Sequence, residues 1–173
     1  SLSFMLPLGM GIAACSIIGN SLGANRPKVA TEIGKIAMCA NCFIEIIVGG
    51  VIYYTGRQVT RVFTRDEVVE DMVASCLGVM WVFVFFDGLQ GVASGVLRGC
   101  GKQSIGAIIN VIAFYFIGIP LAYLFAFKMD MGVGGLIRGI SFASLFQCCV
   151  LLYIIVYNEK DTYQVKFTLE EED

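Results

Sequence analysis

The sequence predicts an all-α fold, a polytopic transmembrane helix bundle of five spans, and three observations carry that prediction. Of its 173 residues, 57% are hydrophobic and 15% charged, against about 45–50% and about 25% in ordinary soluble domains. The mean hydropathy is +0.79, more apolar surface than one water-soluble core of this size can hide. The apolar residues also fall in long blocks, and a bilayer core about 30 Å thick takes roughly 20 of them per helix.

Five blocks meet that length: residues 2–22, 34–54, 73–97, 105–127 and 132–157. The connections "GANRPKVATEI", "TGRQVTRVFTRDEVVEDM", "RGCGKQS" and "KMDM" are short, as they are between antiparallel neighbours in a compact bundle. In the second connection Thr64 and Glu67 form a T-x-x-E capping box, which starts a helix near Arg65 and feeds the third span. The last segment, residues 158–173, holds six acids and two lysines; its polarity predicts a solvated tail without a fixed fold. The chain opens on "SLSFMLPLGM" with no signal peptide and no initiator methionine, and is expected to begin in mid-protein.

Charge sets the orientation and excludes some partners. A net charge of −2 argues against nucleic acid, which needs clustered Lys and Arg. With the first connection inside, Arg26, Lys28, Lys35, Arg98, Lys102, Lys160 and Lys166 are cytoplasmic, and Arg57, Arg61, Arg65 and Lys128 are outside. Seven against four favours a cytoplasmic C-terminus. Seven cysteines and no histidine leave little metal or thiol chemistry; Cys39 and Cys42 form a C-x-x-C inside an apolar run, read as small residues packing between helices. No metal and no cofactor is expected.

One residue breaks the pattern. Asp87 lies near the centre of the third span, in "WVFVFFDGLQGVASGVLRGCG", where insertion costs about 2.5–3.5 kcal/mol. It must face a cavity, find a partner or carry a proton. Gln90, Gly91, Ser94, Gly95 and Arg98 continue its stripe at helical spacing, and Gly91, Gly95 and Gly99 let a neighbouring helix come close. Other spans carry similar faces: Ser16, Asn20 and Gly23; Asn41, Glu45 and Gly49; Ser141, Ser144 and Gln147. Turned inward, they would build one polar lumen. Asp87 is read as a proton or cation site, with hydrogen-bonded helix glue as the competing reading; Glu45 is the second candidate.

The motifs resemble a known family. "LPLGMGIAACSIIGNSLGANRPKVA" resembles the P-x-G…A…VGNxLGA segment of the eighth helix of multidrug and toxin extrusion (MATE) transporters. "FDGLQGVASGVLRGCGKQSIGAIINVIAFYFIGIPLAYLFAF" is similar to their tenth and eleventh helices, where an acid precedes G-V-L-R-G-x-G-x-Q and then N…Y…G-x-P. "GVGGLIRGISFASLFQ" resembles the opening of the twelfth. The resemblance covers residues 4–157 and lies nearest the eukaryotic branch. It implies helices eight to twelve of a two-lobed, twelve-helix exchanger that trades protons, or sodium in some bacterial members, for organic cations. By the same resemblance Asp87 matches the coupling carboxylate of the tenth helix. Gly91, Gly95 and Arg98 match its motif, as do Asn110, Tyr115 and Pro120 in the eleventh helix and Asn20 in the eighth. Three positions depart from the pattern: Ile17 and Ile18 precede Gly19 where the family usually has an Arg before the V-G-N, Ile137 replaces a tryptophan and is followed by Arg138, and Glu45 has no counterpart.

The functional expectation is therefore part of an antiporter that extrudes cationic xenobiotics against proton influx, not an enzyme. Small organic cations, protons, the lipid bilayer and a missing N-lobe are its expected partners, and the plasma membrane its expected location. Phe83, Phe114 and Tyr115 are candidates for cation–π contact with the cargo. The alternative is a truncated, non-transporting protein that associates with or modulates a full-length transporter. An intramembrane aspartyl protease would need two facing aspartates, and Asp87 alone lies at that depth.

Overall fold

A computed structural model describes residues 2–63, 67–157 and 163. The described residues form five helices, each long and apolar enough to cross a membrane: α1 (Leu2–Gly23), α2 (Pro27–Phe63), α3 (Glu67–Gly99), α4 (Gln103–Lys128) and α5 (Gly132–Tyr157). The predicted spans lie inside these helices. The largest difference is in α2, which runs for 37 residues where 34–54 were expected. Hydropathy marks only the part that needs lipid, while the helix continues as far as its backbone bonds can be made.

The turns follow from local chemistry. After α1, Asn25 takes φ of 55°, and the N–H groups of Asn25 and Arg26 donate to the carbonyls of Leu22 and Ser21 at 2.9 Å each. After α3, Gly101 takes φ of 73°, and Gly101 and Lys102 donate in the same pattern to Arg98 and Leu97. Both are Schellman stops, in which a left-handed residue turns the chain and satisfies the last carbonyls. Pro27 then opens α2 at a position where its missing N–H costs nothing. The predicted capping box at Thr64 and the helix start near Arg65 lie outside the described residues, and the described part of α3 starts at Glu67.

α3 is the central post, packed by α1, α2 and α5. Its Ala93, Val92, Val96 and Leu97 are fully buried, together with Ile18 of α1 and Leu151 of α5. Against α1 the contact is backbone on backbone: a β-carbon at Gly95 would overlap the Gly11 main chain, and one at Gly99 would stand 2.8 Å from the Cys15 carbonyl oxygen. The small-residue stripe thus works as close-approach packing.

α4 packs mainly on α5 through another small-residue seam, with Gly118 against Ala143, Gly135 against Ala126 and Gly139 against Ala122. It contains two π-helical stretches, Ile112–Gly118 and Leu124–Lys128. Pro120 has no N–H for the carbonyl four residues back, and the helix widens just before it, so that Ile119 donates to Phe114 instead. Of the C-terminal segment only Tyr163 lies within the described residues; it is buried, with its ring and hydroxyl against Gly34.

Candidate cation site

Asp87 opens into a cavity of about 430 Å³ lined from three helices: Phe4 and Pro7 of α1, Glu45 and Ile52 of α2, and Met80, Phe83, Val84 and Gly88 of α3. Two carboxyl groups therefore share one largely apolar chamber, and among the described residues no basic side chain lines it.

Each acid is held by a specific local feature. Asp87 is half-buried, and the Gln90 side-chain amide donates to its carboxylate at 3.0 Å. Gln90 follows at i+3, where helical geometry brings two side chains together. Glu45 is fully buried, and its carboxyl lies against Gly88, where a β-carbon would overlap it. Gly88 is the notch that admits a carboxyl from α2 beside Asp87. Four residues further along α2, the Trp81 indole fills a similar notch at Gly49.

The remaining candidates divide. Phe83 lines the cavity. Gly91 and Gly95 sit behind it at the α1 contact. Arg98 is exposed near the last turn of α3. Asn20, Asn110, Tyr115 and Pro120 do not reach the cavity and are exposed on their helices. Phe114 and Tyr115 instead line a separate apolar groove of about 650 Å³ with Tyr123, Phe127 and Ile140. The physical reason is that α4 packs against α5, one layer away from Asp87.

The polar faces expected to build one lumen do not all come together among the described residues. Ser16, Asn20 and Gly23 face outward, because α1 turns Gly11, Ala14, Ile18 and Leu22 onto α3. Asn41, Glu45, Gly49, Ser141, Ser144 and Gln147 do face inward. Sequence reasoning missed Gly88 and Met80. Gly88 had a visible signal, since it follows the buried acid directly, but it lies off the stripe that defined the polar face.

Comparison with known proteins supplies context for this geometry. Residues 1–124 match the MatE family model. The chain is 31% identical over 157 residues to multidrug and toxin extrusion protein 1 of Danio rerio, covering 91% of this chain and 26% of the relative. It is 35% identical over 165 residues to Protein DETOXIFICATION 16 of Arabidopsis thaliana, covering 95% of this chain and 34% of the relative. In structure it is similar to the eukaryotic MATE transporter AtDTX14, with a TM-score of 0.84 and 36% identity over 93% of this chain and 36% of that one. The chain thus spans about a quarter to a third of the curated relatives it matches.

Proposed function

The chain belongs to the MatE family of multidrug and toxin extrusion transporters, and from that premise we propose that it forms part of an antiporter driven by proton influx that extrudes organic cations, with Asp87 and Glu45 as its coupling acids. The observation that carries this reading is the shared cavity: two carboxyl groups from different helices, no basic side chain among the described residues that line it, and an aromatic wall from Phe4 and Phe83. A large, weakly hydrated cation loses little on leaving water, and aromatic faces and a carboxylate attract it together. The site binds cargo when at least one acid is ionised. A proton arriving from outside neutralises that acid and removes the attraction; its loss to the cytoplasm restores it. Because proton and cargo compete for one charge, exchange follows when access alternates between the two sides.

In this reading the turns at Asn25 and Gly101 and the C-terminus are cytoplasmic, in keeping with the basic residues around them. The membrane is the plasma membrane, and the substrate class is cationic xenobiotics. The test is efflux of a fluorescent organic cation by the complete transporter, in vesicles carrying an imposed pH gradient. Asp87→Asn should abolish gradient-driven exchange while the protein still inserts. Unchanged exchange by that variant overturns the assignment.

A further inference from the structure

Arg138 is a charge inside a span that the candidate cation site does not use. It is the seventh residue of α5, about 9 Å along the axis from Gly132. A basic side chain there is costly unless it reaches an interface or a partner. It is half-buried, and among the described residues it meets no carboxylate. Its Nη1 donates to the thioether sulfur of Met131 at 3.4 Å, a weak acceptor. The same nitrogen lies 3.5 Å from where a β-carbon on Gly134 would stand. The side chain therefore runs back along α5 toward its first turn, as long basic side chains do when they snorkel to an interface.

That guanidinium heads a second cavity. A groove of about 410 Å³ lies between the packed helices α3 and α5, lined by Gly78, Val79 and Val82 on one and by Phe142 and Leu145 on the other, with Arg138. Ser141 also lines it, but its hydroxyl donates to the Ile137 carbonyl at 2.7 Å, so the surface beyond Arg138 is apolar. Gly78 is exposed, with nothing within 4 Å of an added β-carbon, and the groove is open there. Asp87 follows Gly78 by nine residues, about two and a half turns. The groove and the candidate cation site therefore lie on opposite sides of α3.

The order of charge and oil along the groove selects the occupant. Gly132 and Cys76 open their spans, and Cys76 packs on Gly134, so the guanidinium end is the interfacial end. From Arg138 the apolar lining continues as far as Leu145, about 10 Å deeper along the axis. A bilayer phospholipid presents its phosphate and its chains in that same order. The planar guanidinium fork matches a phosphate with two parallel hydrogen bonds. A cationic amphiphile would be repelled, a purely apolar one would leave the charge unpaired, and a zwitterionic headgroup would bring a second cation beside Arg138. We infer that the groove between α3 and α5 binds an acidic phospholipid of the surrounding bilayer, its phosphate on Arg138 and one acyl chain along Val82, Phe142 and Leu145. This site stands whether or not Asp87 and Glu45 couple transport to protons.

The test uses the complete transporter in phosphatidylcholine vesicles that carry a trace of phosphatidylglycerol with a photoactivatable acyl chain. Illumination should attach the probe to the peptides that contain Val82 and Phe142. Arg138→Gln should cut that labelling about tenfold, the loss of one charge-assisted hydrogen-bonded contact, and Gly78→Phe, which fills the groove from its open side, should cut it as much. A phosphatidylcholine probe should label the same peptides weakly and respond little to Arg138→Gln. A second measurement follows the unfolding temperature in detergent, which a ligand of the folded state raises. Phosphatidylglycerol should raise it more than phosphatidylcholine does, and Arg138→Gln should remove the difference; each variant is compared with its own lipid-free curve, so a loss of stability leaves the answer readable. Labelling that ignores both substitutions, or a groove left unlabelled because another helix of the transporter covers it, overturns the site. An undiminished preference for phosphatidylglycerol in Arg138→Gln overturns the headgroup contact. Displacement of the probe by millimolar inorganic phosphate shows that the anion alone is held and overturns the lipid.

Discussion

The carboxyl of Glu45 lies in the space that Gly88 leaves by having no side chain, one residue away from Asp87. A glycine on one helix thereby decides whether an acid on another can stand at the candidate coupling site. Gly88→Ala is expected to expel the Glu45 carboxyl, lower stability by about 1–3 kcal/mol through overpacking, and impair gradient-driven exchange although both acids remain. Thermal unfolding in detergent, paired with vesicle efflux, checks this; an alanine variant with wild-type efflux contradicts it.

The two acids should differ in consequence. Asp87 is half-buried and tied to Gln90, whereas Glu45 is fully buried and has no hydrogen-bond partner among the described residues. Asp87→Asn should remove coupling at little structural cost. Glu45→Gln should also weaken coupling, yet raise the unfolding temperature, because a neutral amide is cheaper to bury than a charge. A fall in unfolding temperature on Glu45→Gln would contradict that ordering.

Glycines in α3 should respond with opposite signs. Gly95→Ala drives a methyl into the Gly11 backbone and is expected to destabilise by about 1–3 kcal/mol or more, since backbone cannot step aside. Gly78 has nothing within 4 Å of the added carbon, so Gly78→Ala should stabilise by up to about 1 kcal/mol through helix propensity alone. Unfolding curves of the two variants in one detergent give the comparison directly.

Burial pushes the Cys100 thiol, in the turn after α3, up to about 11 from an ordinary 9.0, with Lys102 opposing. The thiolate is the reactive form, so maleimide labelling at neutral pH should be slow and should rise until the pH nears 11. The sign also holds for stability. The unfolded thiol ionises first, near 9.0, so this group's contribution is complete below that pH and is lost as the pH climbs toward 11. Labelling of a Cys100-only variant across that range measures it, and a plateau below pH 9 contradicts it.

Tyr163 is buried, with its ring and hydroxyl against Gly34. Tyr163→Ala should speed tryptic cleavage after Lys160 and Lys166 severalfold, and Tyr163→Phe, which keeps the ring, should alter it far less. Equal rates in all three proteins would show that the ring anchors nothing.

Much of this was legible in the sequence, for reasons particular residues make clear. The five spans follow from hydropathy because lipid imposes length directly. Asp87 and Glu45 stood out because acids are expensive at that depth, and the Asn41–Glu45–Gly49 face does turn inward. The same periodicity misplaced Ser16 and Asn20. A polar stripe shows which residues share a face, not which way the face points, and on α1 the small and aliphatic stripe through Gly11 and Ile18 took the interior. Tyr115 lines a groove apart from Asp87, because no single-helix pattern reports which neighbour a helix chooses. The burial of Tyr163 was hidden inside a polar, acidic segment whose composition reads as solvated throughout.

The contact between α1 and α3 has one more consequence, for how such a protein can change over generations. At Gly11, Gly95 and Gly99 main chain meets main chain, with no flexible group in between to absorb a replacement. Drift at any one of these positions has to await a matching move of an entire helix, so the trio is inherited as a block. The exposed aromatics of α4, such as Phe116 and Phe127, are 72% and 67% exposed and make no main-chain contact of that kind among the described residues. Divergence between lineages should accumulate on that outer wall, while the spacing that holds Asp87 beside α1 stays fixed.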